Sequence, residues 1–180
     1  KSWKAVYKNE HPSRFGFRWL YDTFGTNGRM MEVQAVIGRI QLRRMADWTA
    51  RRTANATRIS EVLRRNRLVR VPEVSEELTH AWYRINMFVR PEYLAEGWGR
   101  DRIMEEIIAQ GVPCFSGICP EVYLEKAFDG TDFRPPKRLP VARQLGETSL
   151  TFLVHPTLTD AEIDKTCTVA DKVLVRASQT

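Results

Sequence analysis

At 180 residues, with 43% hydrophobic and 28% charged side chains, the chain is long enough for one good core and too apolar for wholesale disorder. No apolar run approaches the ~18–20 residues of a bilayer-spanning helix, so no membrane partner is expected. The net charge is +6, and the three cysteines form an odd set, read as free thiols of a reducing, cytoplasmic protein.

Residues 1–24 hold Trp3, Tyr7, Phe15, Phe17, Trp19, Tyr21 and Phe24 with little periodicity. So many rings without a regular pattern describe an extended arm that needs a surface outside itself. The turn Gly25-Thr-Asn-Gly28 follows, its glycines free to adopt backbone angles other residues avoid. It runs straight into a helical pattern spanning residues 30–66, roughly 50 Å at 1.5 Å per residue. Asn27 and Arg29 stand beside the free N–H groups of that helix start, a setting suited either to an anion or to a plain capping turn.

The first third of the helix is apolar nearly all round: Met30, Val33, Ala35, Val36, Ile37, Ile40 and Leu42. Such a surface is expected to be buried in an interface. Further on, the apolar residues narrow to a stripe of Met45, Trp48, Ile59, Val62 and Leu63. Arg39, Arg43, Arg44, Arg51, Arg52, Arg58, Arg64 and Arg65 lie along the same stretch. They fit a nucleic-acid footprint, a solvated face, or a face meeting acidic segments of a partner.

Residues 68–71 read as a short strand ended by Pro72, and residues 80–90 as a longer one, one face wetter than the other. Residues 100–110 form a helix on Ile103, Ile107 and Ile108, closed by Gly111. A strand at 112–115, a helical turn at 120–128, a loop at 129–136, a helix at 139–146 and a strand at 148–153 follow. Thr159-Asp-Ala-Glu162 is a capping box opening the last helix, on Ile163, Cys167, Ala170 and Leu174 to about Val175. The class is α/β, with a short antiparallel or mixed sheet covered by helices on one face.

Little in this pattern names a chemistry. His11, His80 and His155 are far apart, and Cys114 and Cys119 lack a second pair, so no metal site is expected. Glu105 and Glu106 are adjacent and point to different sides of their helix, a poor acid/base pair. The turn at Gly25–Gly28 has no Gly-Lys-Ser/Thr ending and follows no apolar strand, which excludes a P-loop or a dinucleotide fingerprint.

Taken together, several stretches resemble the DegT/DnrJ/StrS-type sugar aminotransferases, pyridoxal phosphate (PLP) enzymes of fold type I. Gly25-Thr-Asn-Gly-Arg-Met-Met-Glu-Val-Gln-Ala-Val-Ile-Gly38, followed by Gln41-Leu42, is similar to the family's Gly-X-Asn-X-Arg-Met-X-Glu-X-Gln-Ala-X-X-Gly stretch. His80-Ala-Trp-Tyr83 resembles its His-X-X-Tyr/His strand. Gly111-Val-Pro113, Leu139-Pro-Val-Ala142 and Leu153-Val-His-Pro-Thr-Leu-Thr-Asp160 resemble landmarks in the family's order.

The resemblance implies the C-terminal portion of such an enzyme. Residues 1–29 would be an arm and turn left from the large PLP-binding domain, 30–66 the interdomain helix, and 67–180 the small α/β domain. No catalytic residue is expected in this chain, because the Schiff-base lysine would lie upstream. The resemblance matches Asn27 to an asparagine that reaches the cofactor phosphate of the other subunit in a homodimer. It matches Arg29 to an arginine near the phosphates of a nucleotide-sugar substrate.

The chain departs from the family where a His-Tyr pair would fall on Gly117-Ile118 and a later histidine on Tyr123. The implied activity is amino transfer, from glutamate or a similar donor, to a nucleotide-linked keto sugar in polysaccharide, lipopolysaccharide or secondary-metabolite synthesis. The segment alone would be inactive. A PLP-dependent sugar dehydratase of the same family and a basic nucleic-acid-binding module are the alternatives.

Overall fold

A computed structural model describes residues 28, 30–117 and 119–179. The aromatic arm of residues 1–24, Asn27 and Arg29 lie outside the described residues. Helix α1 (Glu32–Leu63) runs for 32 residues, about 48 Å. It is followed by β1 (Val69–Arg70), β2 (Arg84–Val89), α2 (Arg100–Ala109), β3 (Cys114–Phe115), α3 (Pro140–Thr148), β4 (Ser149–Leu153) and α4 (Asp160–Ala177).

The sheet has the order β1-β2-β4-β3 and is antiparallel throughout, which decides between the antiparallel and mixed arrangements. Its register sets Ile85 opposite Phe152 and Met87 opposite Leu150, and these four side chains meet the core. Alternation sends Asn86, Phe88, Ser149 and Thr151 to the other face. The core face is covered by Ala56, Ile59 and Leu63 of α1, Ile103, Met104 and Ile107 of α2, and Ile163, Ala170, Val173 and Leu174 of α4. In α2 it is Met104 that turns inward, while Ile108, expected on the apolar stripe, is 41% exposed.

The expectation of helices on one face alone needs correction. Helix α3 contributes nothing to the core cluster; its Val141, Gln144 and Leu145 share a cleft with Phe88, on the sheet's other side. Its register is fixed by proline: Pro140 in the first turn needs no N–H partner and has a backbone angle suited to a helix start.

Helices α1 and α4 are tied by charge as well as packing. Arg51 reaches Leu158 O and Asp160 Oδ1 at 3.0 Å, and Arg58 reaches Asp160 at 3.1 Å and also pairs with Asp164. The capping box of α4 forms as expected: Thr159 N–H donates to Glu162 Oε2 at 2.8 Å, and Glu162 N–H returns a bond to Thr159 Oγ1.

Candidate functional site

Among the described residues, the buried positions of helix α1 all lie in its second half: Asn55, Ala56, Ile59, Ser60 and Leu63. Asn55 Nδ2 donates to His155 O at 3.3 Å, just past the end of β4. The first half therefore runs on beyond the end of the sheet at which β4 stops and β2 begins. Met30, Met31, Val33, Val36, Ile37, Ile40, Leu42 and Met45 are all exposed there, with no cover among the described residues. The helix start itself is closed locally, with Met31 N–H donating to Gln34 Oε1 at 2.8 Å. Since Asn27 and Arg29 are outside the described residues, their contact with an anion rests on the sequence.

At this same end of the sheet stands a cluster of rings around one guanidinium. The strand expected from His80 begins only at Arg84. His80 Nδ1 accepts the Trp82 N–H at 2.9 Å, and Trp82 takes a φ of 44°, left-handed backbone that interrupts an extended run. The His80 and Trp82 rings sit 4.2 Å apart. The Arg84 guanidinium lies 5.2 Å from the Tyr83 ring and 5.0 Å from that of Phe115, on β3. Rings of this kind favour a cation over their faces. Beside them, Thr151 Oγ1 donates to Asn86 Oδ1 at 2.6 Å and Ser149 Oγ to Ser116 O at 2.7 Å. Gly117 closes against Ser149 with a φ of 88°, where a side chain would collide with the hydroxyl.

The long connection from β3 to α3 is held by a buried carboxylate. Glu121 is 2% exposed, and it accepts from Tyr123 Oη at 2.6 Å and from Arg138 Nε at 2.9 Å, with a second bond from Arg138 Nη2. Arg138 holds its carboxyl below the usual carboxylate range, against the opposing effect of burial. Tyr123 Oη in turn accepts the Leu139 N–H at 2.8 Å, and burial, with Glu121 beside it, raises its hydroxyl. Arg134 donates to Tyr123 O and Glu125 O and pairs with Asp129 at 2.6 Å.

Tyr123, where the resemblance expects a histidine, is thus a buried structural hydroxyl. The spacing Glu121-Val-Tyr123 carries no signal of this pairing, because Arg138 comes from the far side of the loop. The thiols are not activated nucleophiles. Burial pushes Cys114 up to about 12, and it raises Cys119 and Cys167 as well. Among the described residues, no group of three histidines, cysteines or carboxylates forms a metal site.

The described residues by themselves do not hold a PLP aldehyde. A Schiff base needs a lysine held in a pocket; Lys126, Lys137 and Lys172 are exposed, and Lys165, exposed too, lines a small cleft where its Nζ donates to Gly111 O at 3.4 Å. The arginine helix is divided: Arg51 and Arg58 are occupied by Asp160 and Asp164, whereas Arg39, Arg43 and Arg44 have no ion pair among the described residues.

The model of the DegT/DnrJ/EryC1/StrS aminotransferase family matches residues 6–171. The chain belongs to this family. Pyridoxal phosphate is the family's cofactor. The X-ray structure of an aminotransferase from Psychrobacter cryohalolentis is 52% identical, with a TM-score of 0.78 over 98% of this chain and 46% of its own. The erythromycin biosynthesis sensory transduction protein EryC1 of Saccharopolyspora erythraea is 29% identical over 82% of this chain and 38% of its own length. The dTDP-3-amino-3,4,6-trideoxy-alpha-D-glucose transaminase of Streptomyces venezuelae is 26% identical over 78% of this chain and 35% of its own length. The chain thus spans less than half the length of each.

Proposed function

We propose that this chain is the C-terminal part of a cytoplasmic, PLP-dependent aminotransferase acting on a nucleotide-linked keto sugar. The amino group comes from glutamate or a similar donor, and the aminated sugar goes to polysaccharide, lipopolysaccharide or secondary-metabolite synthesis. The observation that carries this reading is the family match over residues 6–171, which includes the stretch Gly25–Gly38 with Asn27 and Arg29.

In this reading residues 1–29 belong to the large domain, 30–66 form the bridge between domains, and 67–180 form the small domain. The cofactor supplies an electron sink, and the protein's part is placement and electrostatics. Asn27 donates its amide to the cofactor phosphate of a partner subunit, and Arg29 faces the substrate phosphates. The uncovered apolar half of α1 supports the homodimer, because a helix surface of that character needs cover. The segment alone carries no activity.

The test uses the complete protein with PLP. Borohydride reduction is expected to fix PLP on a lysine outside residues 1–180, read by mass spectrometry, and glutamate is expected to be consumed with a keto sugar present. Replacing Asn27 by Ala weakens PLP retention by about tenfold or more, the loss of a charge-assisted hydrogen bond to phosphate. A product that has lost water instead of gaining nitrogen assigns the dehydratase alternative. Absence of any PLP adduct overturns both.

A further inference from the structure

Two groups stand out among the eighteen arginines of the described residues. Seven of them, Arg51, Arg58, Arg100, Arg134, Arg138, Arg143 and Arg176, hold carboxylates. Four others, Arg64, Arg67, Arg70 and Arg90, hold none among the described residues, yet line a single groove of about 580 Å³. The groove lies where Val69 pairs with Val89, at the opposite end of β2 from Arg84 and His80.

Each of these guanidiniums is held in place by a neutral group. Arg64 Nη2 donates to Pro72 O at 3.5 Å, Arg67 Nη2 to Gln179 O at 3.1 Å, and Arg90 Nη1 to Arg67 O at 3.2 Å. Arg67 also lies 5.1 Å over the Tyr93 ring, and Arg70 lies 4.5 Å over Phe88. A guanidinium carries five N–H donors, so most of theirs remain unspent.

The C-terminal end of α1 accounts for Arg64 and Arg67 in part, since cations complement the negative end of a helix. It does not account for Arg70, on β1, or Arg90, at the end of β2. Among the described residues of the wall Glu73 is the one carboxylate, so this lining carries 4 − 1 = +3. That charge calls for a multiply charged oxyanion, and forked donors match phosphate oxygens in pairs. The volume is that of a small-molecule site, and Glu73 opposes a long polyanion continuing past β1.

We propose that this groove binds a compact anion carrying two or more linked phosphate groups. The site is separate from Asn27 and Arg29 and rests on no part of the aminotransferase reading.

The test is calorimetric titration of the 180-residue chain with inorganic tripolyphosphate, pyrophosphate and a short DNA duplex. Tripolyphosphate is expected to bind with a sub-millimolar Kd that weakens as salt rises. R64Q/R70Q, both exposed positions, is expected to weaken it by about tenfold or more, the loss of two charged contacts. R102Q, whose guanidinium lies over Trp98 outside the groove, leaves the affinity unchanged. Far-UV spectra verify the fold, and R70Q alone serves if the double variant unfolds. The proposal is overturned by no binding of tripolyphosphate at millimolar concentration or by an affinity indifferent to these substitutions. A duplex that binds more tightly and is weakened by the same variant also overturns it, assigning the groove to nucleic acid.

Discussion

Gly146 lies inside α3, where alanine would ordinarily be the better residue. A Cβ built at Gly146 falls 2.8 Å from Pro120 Cβ and closer still to Pro120 Cγ. Both atoms belong to a closed ring that cannot rotate aside, so either α3 or the 116–139 connection has to shift. Overpacking of this kind costs about 1–3 kcal/mol, and a rigid opponent on both contacts puts it in the upper half of that range. Alanine returns about 1 kcal/mol of helix propensity, leaving G146A destabilised by about 1–2 kcal/mol. For a chain of this size that lowers Tm by about 2–8 °C, read by circular dichroism. Trypsin is expected to cut faster at Lys137 and Arg138, which sit in the displaced connection. Gly38 is the control: it too lies within a helix, with nothing within 4 Å of its built Cβ, and G38A should leave Tm unchanged or raise it. A G146A protein as stable as wild type, with an unchanged cleavage rate, would refute the close contact between α3 and Pro120.

Three further outcomes follow from the same geometry. Glu121 has its folded pKa lowered by Arg138, so its contribution is full above the unfolded value, about 4.3, and is lost as pH falls through the lower folded value. E121Q is therefore expected to lower denaturant stability at pH 7 and to flatten the acid limb of the stability curve; an acid limb identical to wild type would count against the ion pair. T159A removes the hydroxyl that caps α4 and should cost about 1 kcal/mol, seen as a Tm drop of about 2–4 °C; no drop would mean the box contributes nothing. V36K/I40K places charge on α1 side chains that are 58% and 45% exposed, and is expected to abolish concentration-dependent self-association and reduce dye binding in light scattering and fluorescence assays. A wild-type chain that remains monomeric at all concentrations would remove the need for that cover.

Much of the fold was legible because it rests on local rules. The capping box at Thr159–Glu162 and the α4 stripe on Ile163, Cys167, Ala170 and Leu174 follow from residues within a few positions of one another. The apolar surface from Met30 to Met45 announced a partner, and the described residues provide it none. The beginning of β2 was misjudged because His80 and Trp82 alternate like strand residues. A hydrogen bond from the Trp82 backbone to the His80 ring overrides that pattern.

The candidate site was legible only in part. Asn27 and Arg29 came from the stretch before α1, and they lie outside the described residues. The role of Tyr123 was hidden, because its neighbours in the fold, Arg138 and Leu139, are distant in sequence. The sequence by itself determined the long helix, the α/β class, the last helix's cap and the family, all readable from short-range spacing and residue order. Only the tertiary structure decided which arginines are neutralised and which converge unpaired on one groove. Charge pairing depends on distance in space, and periodicity within one helix carries no information about the carboxylates that other elements bring to it.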